Sequence, residues 1–132
     1  MSLELRLLAY SIVLLFVLVA IHAASNVRTF GVKAMSGSRD GLGAPSVFTA
    51  RAKRAVDNLT ENLWFFAPLV LIAVLTNVSN DWTVLGARLF FYGRLAHGVI
   101  YLAGWPTIRA AAWLTGVAGC ILIFLALFGT LF

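Results

Sequence analysis

The sequence is short of charge. Of its 132 residues only 11% are Asp, Glu, Lys or Arg, against about 25% in soluble domains. With 61% hydrophobic residues and a mean hydropathy of +0.95, that shortage excludes an ordinary water-soluble domain and indicates an integral membrane protein. Acids are scarcer than bases, five against ten. The excess cations sit beside apolar runs, which suits membrane orientation and an anionic ligand better than nucleic acid. The single cysteine, Cys120, excludes an intrachain disulfide and a cysteine-based zinc site; inside an apolar run it reads as a small packing residue. Also missing are a Ser-His-Asp arrangement, a metal-ligand spacing and a long internal repeat. The glycines of "GSRDGLG" follow no strand, so they mark no phosphate loop.

What is present is four apolar stretches, roughly Leu3 to Ala24, Arg51 to Leu75, Thr83 to Ala103 and Thr107 to Phe132. Each has about the 20 residues that a helix needs to span a bilayer, and a helix satisfies its own backbone in lipid. The expected fold class is an all-α membrane protein, a four-transmembrane-helix bundle forming one domain over residues 1–132. A cleaved signal peptide is a competing reading of the first stretch, because "IHAAS" offers small residues after it. The length of the run and Glu4 beside Arg6 argue against it. Ser25 to Phe48 reads as one long irregular loop containing "GVKAMSGSRDGLGAPS", whereas "NVSND" and "GWP" are short turns that make neighbouring helices antiparallel. Arg28, Lys33, Arg39, Arg51, Lys53 and Arg54 place the first loop in the cytoplasm, together with the turn before Arg109. Both termini then face the opposite side, with Arg6 as a small dissent. Trp82 and Trp105 bracket the third span, where interfacial aromatics belong.

Two polar stripes cross these spans. Arg51, Arg54, Asn58 and Glu61 are spaced 3, 4 and 3, which aligns them on one helix face; Asp57 falls at the edge and Lys53 further round. In the third span Arg94, His97 and Tyr101 are spaced 3 and 4. Charges inside a membrane span are expensive and usually functional. Arg94 and Glu61 lie at similar depths, so an ion pair between them is expected to neutralise both and fix register. Arg51, Arg54 and Arg109 then remain in excess, with His97, Tyr101 and Asn58 as neutral hydrogen-bonding groups. Such a cluster suits a small ligand with carboxylates or phosphates. The competing reading is that the arginines snorkel to anionic head groups, which fits Arg51 and Lys53; Arg54 shares its face with Asn58 and Glu61 and reads as a ligand residue. Arg88 reads as interfacial or structural and His22 as a satisfied or interfacial histidine. Pro68 should kink or loosen the second span. Ala112, Gly116 and Cys120, flanked by Ala111, Thr115 and Gly119, form a small-residue ridge for close helix packing.

"RAKRAVDNLTEN", followed by an apolar run with Phe66, and "GRLAHGVIYLAGWPTIRA" resemble the second- and third-helix signatures of the MAPEG family, the membrane-associated proteins of eicosanoid and glutathione metabolism. The resemblance covers nearly the whole chain and is closest to the shorter bacterial branch, which implies an inner-membrane location. It implies a homotrimer that binds glutathione, as thiol co-substrate, between subunits near the cytoplasmic side. By motif match it assigns Arg28, Arg54, Asn58, Glu61, His97 and Tyr101 to glutathione and Arg109 to the thiol, with Arg51 and Arg94 more structural. The implied activity is a transferase or peroxidase-like attack on lipophilic electrophiles that arrive from the bilayer. Asp57 stands where related enzymes have an arginine, and Ala110 where they have a serine. Those departures keep open a non-catalytic lipid-binding or scaffold protein of the same fold. A small multidrug transporter fits poorly, because the first span has no acid beyond Glu4.

Overall fold

A computed structural model of the chain describes residues 1–131; Phe132, the end of the fourth expected span, lies outside the described residues. Local signals set each helix boundary. Ser2 caps α1 (Leu3–Phe30), its Oγ accepting from the Leu5 N–H at 3.3 Å. Gly31, at φ +85°, ends it, and a short α2 (Val32–Ser36) follows. Ser46 caps α3 (Val47–Leu75) through the Thr49 N–H at 3.1 Å. Asn80 and Thr83 close a reciprocal capping box at the start of α4 (Asp81–Ala103). The left-handed Gly104 ends α4, and Pro106 opens α5 (Pro106–Leu131).

The expected all-α bundle is found, with one correction at the end that carries Arg51 and Arg54. The stretch from Ser25 to Phe48 is not one irregular loop: α1 continues through Phe30, α2 occupies Val32–Ser36, and α3 starts at Val47. Hydroxyl groups explain the extra turns. Thr49 is buried between α1 and α3, where its Oγ1 makes a short contact with Ser25 Oγ and hydrogen bonds with Thr29 Oγ1 at 3.2 Å and Ser46 Oγ at 2.7 Å. That network satisfies polar groups which the sequence pattern assigns to solvent. α3 also runs unbroken through Pro68, whose ring removes one ladder bond without ending the helix.

α4 and α5 pack most closely. α1 lies on α3 and α4, and α3 also touches α5. Gly86 and Gly93 of α4 meet Gly119, Gly116 and Ala112 of α5 at backbone contact, so the small-residue ridge does serve close packing. The buried centre holds Leu59, Phe66, Val70, Phe90 and Ile123, with Phe66 and Phe90 stacked at 3.8 Å between ring centroids. Large apolar side chains also cover the outside, among them Phe16, Trp64 and Phe65. In water such a surface would aggregate; in lipid it needs no cover. α1, α3 and α5 are long and apolar enough to cross a membrane. α4 is not among them, since it carries Arg88 and Arg94, but its 23 residues still reach about 35 Å. The protein is an integral membrane helical bundle.

Candidate functional site

The rotation of α3 decides which polar side chains meet. Its buried face runs through Ala52, Ala55, Leu59, Phe66, Val70 and Ala73, positions with helical spacing. The stripe of Arg51, Arg54, Asn58 and Glu61 precedes Ala52, Ala55, Leu59 and Asn62 by one residue each, which rotates it about 100° from that face. It therefore lies on the flank: Arg51 and Asn58 are half-buried, Arg54 and Glu61 exposed.

Arg94 is 2% exposed, yet it does not pair with Glu61. Its Nη1 donates to Asn58 Oδ1 at 2.8 Å and its Nη2 to the Trp113 carbonyl at 2.7 Å. Its Cζ lies 5.7 Å from the Phe90 ring centroid, a favourable place for a cation. Lys53–Asp57, exposed and 2.7 Å long, is the only ion pair among the described residues. The expected Arg94–Glu61 pair fails because Glu61 points off the flank, while Asn58, one turn earlier, points at α4. A guanidinium can only donate, so Asn58 meets it with its carbonyl oxygen and keeps its amide N–H groups available. Gly116 makes room: a Cβ there would lie 2.5 Å from Arg94 Nε.

Tyr101, one turn beyond His97, organises the mouth. Arg54 Cζ lies 6.0 Å and Arg109 Cζ 5.0 Å from its ring centroid, and the His97 ring is 5.3 Å away. Two cavities adjoin it. One, of ≈ 290 Å³, is lined by Arg51, Arg54, Tyr101, Trp105 and Arg109 among others. The second, of ≈ 310 Å³, is lined by Asn58, His97, Tyr101, Arg109, Ala110 and Trp113. Each is at the lower end of the ligand-pocket range of about 300–1,000 Å³. Arg51 reaches the first by lying over Gly104, where a Cβ would collide with its guanidinium.

Of the site residues expected from sequence, Arg54, Asn58, His97, Tyr101 and Arg109 come together. Arg28 and Glu61 do not. Arg28 is exposed in the last turn of α1, and α1 has no contact with α5 among the described residues. Neither residue lines either cavity. Two participants escape the sequence reading. The Trp113 carbonyl is a backbone group and leaves no mark in the sequence; Gly116 belongs to a ridge whose evident role is helix packing. His22 is satisfied by the Asn26 amide at 3.1 Å. No group of three or more His, Cys, Asp or Glu residues could hold a metal among the described residues. In comparison with known proteins, no curated protein matches the sequence. The sequence model described as the MAPEG family matches residues 5–129.

Proposed function

The chain belongs to the MAPEG family, and from that premise we propose that it is a glutathione-dependent membrane enzyme. It would conjugate or reduce lipophilic electrophiles with a thiolate stabilised by Arg109. One observation carries this reading. Arg51, Arg54 and Arg109, from α3 and α5, line one cavity, and none of them is in an ion pair among the described residues. Unneutralised guanidinium groups converging on one space suit a ligand with several carboxylates.

The residues fit glutathione in charge. Its two carboxylates match Arg51 and Arg54 at the mouth and the free N–H groups of Asn58 deeper in. Its ammonium needs an acceptor. Asp57 is held by Lys53 at 2.7 Å, which leaves Glu61 on the outer flank of α3. We therefore assign Glu61 and Arg28 to a site shared with a neighbouring copy in a trimer, where the flank of one protomer meets the cavity of the next. Bound glutathione supplies a thiol, and the thiolate is its nucleophilic form. Arg109, beside Tyr101 and at the border of both cavities, lowers the energy of the thiolate and offers a donor to charge developing on the electrophile. Ala110 brings no hydroxyl, so Arg109 acts there without one. Trp64, Phe65, Pro68 and Trp113 line an apolar groove of ≈ 550 Å³ between α3 and α5, a chemically suitable path for a substrate dissolved in lipid. The positive-inside rule places the arginine end of the bundle in the cytoplasm.

A second reading, a non-catalytic lipid-binding protein of the same fold, is favoured by Ala110 and by the engagement of Asp57 with Lys53. Calorimetry of glutathione binding to the detergent-purified protein separates the two. The enzyme reading expects saturable binding that is lost in Arg54→Ala, and a thiolate absorbance that is lost in Arg109→Ala. No binding at millimolar glutathione by a folded protein sinks it.

A further inference from the structure

At the other end of the bundle the chain buries a second charged group that the thiol chemistry does not use. Glu4, in the first turn of α1, is 2% exposed. Its Oε1 accepts from Thr83 Oγ1 at 2.7 Å and from Ser79 Oγ at 2.9 Å. Thr83 Oγ1 accepts from the Asn80 N–H at 2.9 Å, and its single proton has two acceptors within reach, the Asn80 carbonyl at 2.9 Å and the closer carboxylate. Oε2 is buried as well and makes no hydrogen bond of ordinary geometry, although the Ser2 hydroxyl and the Glu4 N–H at the start of α1 also act on this carboxylate. A buried carboxylate oxygen without a well-formed hydrogen bond is costly, so it calls for a specific explanation. The protein's own cations supply none: Lys53–Asp57, the only ion pair among the described residues, stands at the arginine end.

Glu4 lines a cavity of ≈ 210 Å³ with Ser2, Asn77, Ser79 and the last turn of α3 at Ala73 and Val74. The polar groups around it are rich in oxygen: two hydroxyls, a side-chain amide and the carbonyl end of α3. That helix end carries the negative pole of its dipole. The space would hold several waters at about 30 Å³ each, more than a bare ion needs and less than a typical organic ligand occupies.

We propose that this cavity binds a small monovalent cation of the sodium type, held by Glu4 Oε2 with hydroxyl, carbonyl and water oxygens completing the shell. The polar groups of the lining offer oxygen beside the apolar side chains of Ala73, Val74 and Val78, and oxygen donors suit a hard cation. A single carboxylate balances a single positive charge, whereas protein sites for calcium combine several. Asp81, the nearest acid in the sequence of α4, is exposed and does not line the cavity. The bound ion would tie the start of α1 to the turn between α3 and α4, and so stabilise the folded bundle by mass action.

The test uses the purified full-length chain in detergent, with choline chloride holding ionic strength constant. Equilibrium dialysis against radioactive sodium should show a single class of saturable site, displaced by unlabelled sodium, and the melting temperature should rise with sodium. Glu4→Gln keeps an acceptor for Thr83 and Ser79 but removes the charge; sodium affinity should fall about tenfold or more. Asp81→Asn should leave it unchanged. Ala73→Leu fills the cavity while keeping the carboxylate, so it serves where Glu4→Gln does not fold and should also abolish uptake. No saturable uptake by the native chain, or uptake that survives both Glu4→Gln and Ala73→Leu, overturns the proposal and leaves a cavity that holds water only.

Discussion

Adding one methyl group at Gly116 should unseat the buried arginine. A Cβ at this position would lie 2.5 Å from Arg94 Nε, 2.6 Å from Nη2 and 2.9 Å from Cζ. Ordinary contact needs about 3.5 Å or more, so the guanidinium must retreat by roughly 1 Å. It has no slack, because its two hydrogen bonds are already 2.8 and 2.7 Å long and would stretch past the useful limit of about 3.2 Å. Hydrogen bonds to a charged group contribute about 1.5–3 kcal/mol each. Losing most of two, less about 1 kcal/mol regained from the better helix propensity of alanine, leaves Gly116→Ala destabilised by about 2–4 kcal/mol. Gly98→Ala is the control, since its Cβ would meet only Leu18 at 3.6 Å and should be neutral or slightly stabilising. SDS-induced unfolding followed by circular dichroism and tryptophan fluorescence measures both. A double-mutant cycle with Arg94→Met should show that most of the Gly116→Ala cost vanishes once the guanidinium is gone. A Gly116→Ala protein within about 0.5 kcal/mol of the native one would refute the account of a wedged arginine.

Three further outcomes follow from the same contacts. Tyr101→Leu removes the ring that faces Arg54 and Arg109, each contact being worth about 0.5–2 kcal/mol, so calorimetry should show glutathione affinity falling about tenfold while Tyr101→Phe keeps most of it. Thr49→Val preserves shape but breaks the hydroxyl network between α1 and α3; it should destabilise the protein by about 1–2 kcal/mol in the same unfolding assay. Lys53→Ala removes an ion pair that is exposed on both sides, and unfolding should shift by no more than about 0.5 kcal/mol, because such pairs are screened by water and salt.

The sequence by itself determined the class and the cast. Scarce charge and long apolar runs dictate a membrane bundle, since only helices satisfy their backbone in lipid at those lengths. Helical spacing already groups Arg54 with Asn58 and His97 with Tyr101, whereas the helix ends at the Ser2, Ser46, Asn80 and Gly104 caps do not follow from the apolar runs. Only the tertiary structure decided the partners. Whether Glu61 or Asn58 meets Arg94 depends on how α3 is rotated, and burial of Leu59, Phe66 and Val70 sets that rotation. The Trp113 carbonyl, the slot beside Gly116 and the junction of Glu4 with Ser79 and Thr83 join positions far apart in the chain, by 19 to 79 residues. Periodicity reports which side of a helix is polar; it does not report what the neighbouring helix presents to that side. That choice is made by packing, because burying one face of a helix fixes the direction of every other side chain on it.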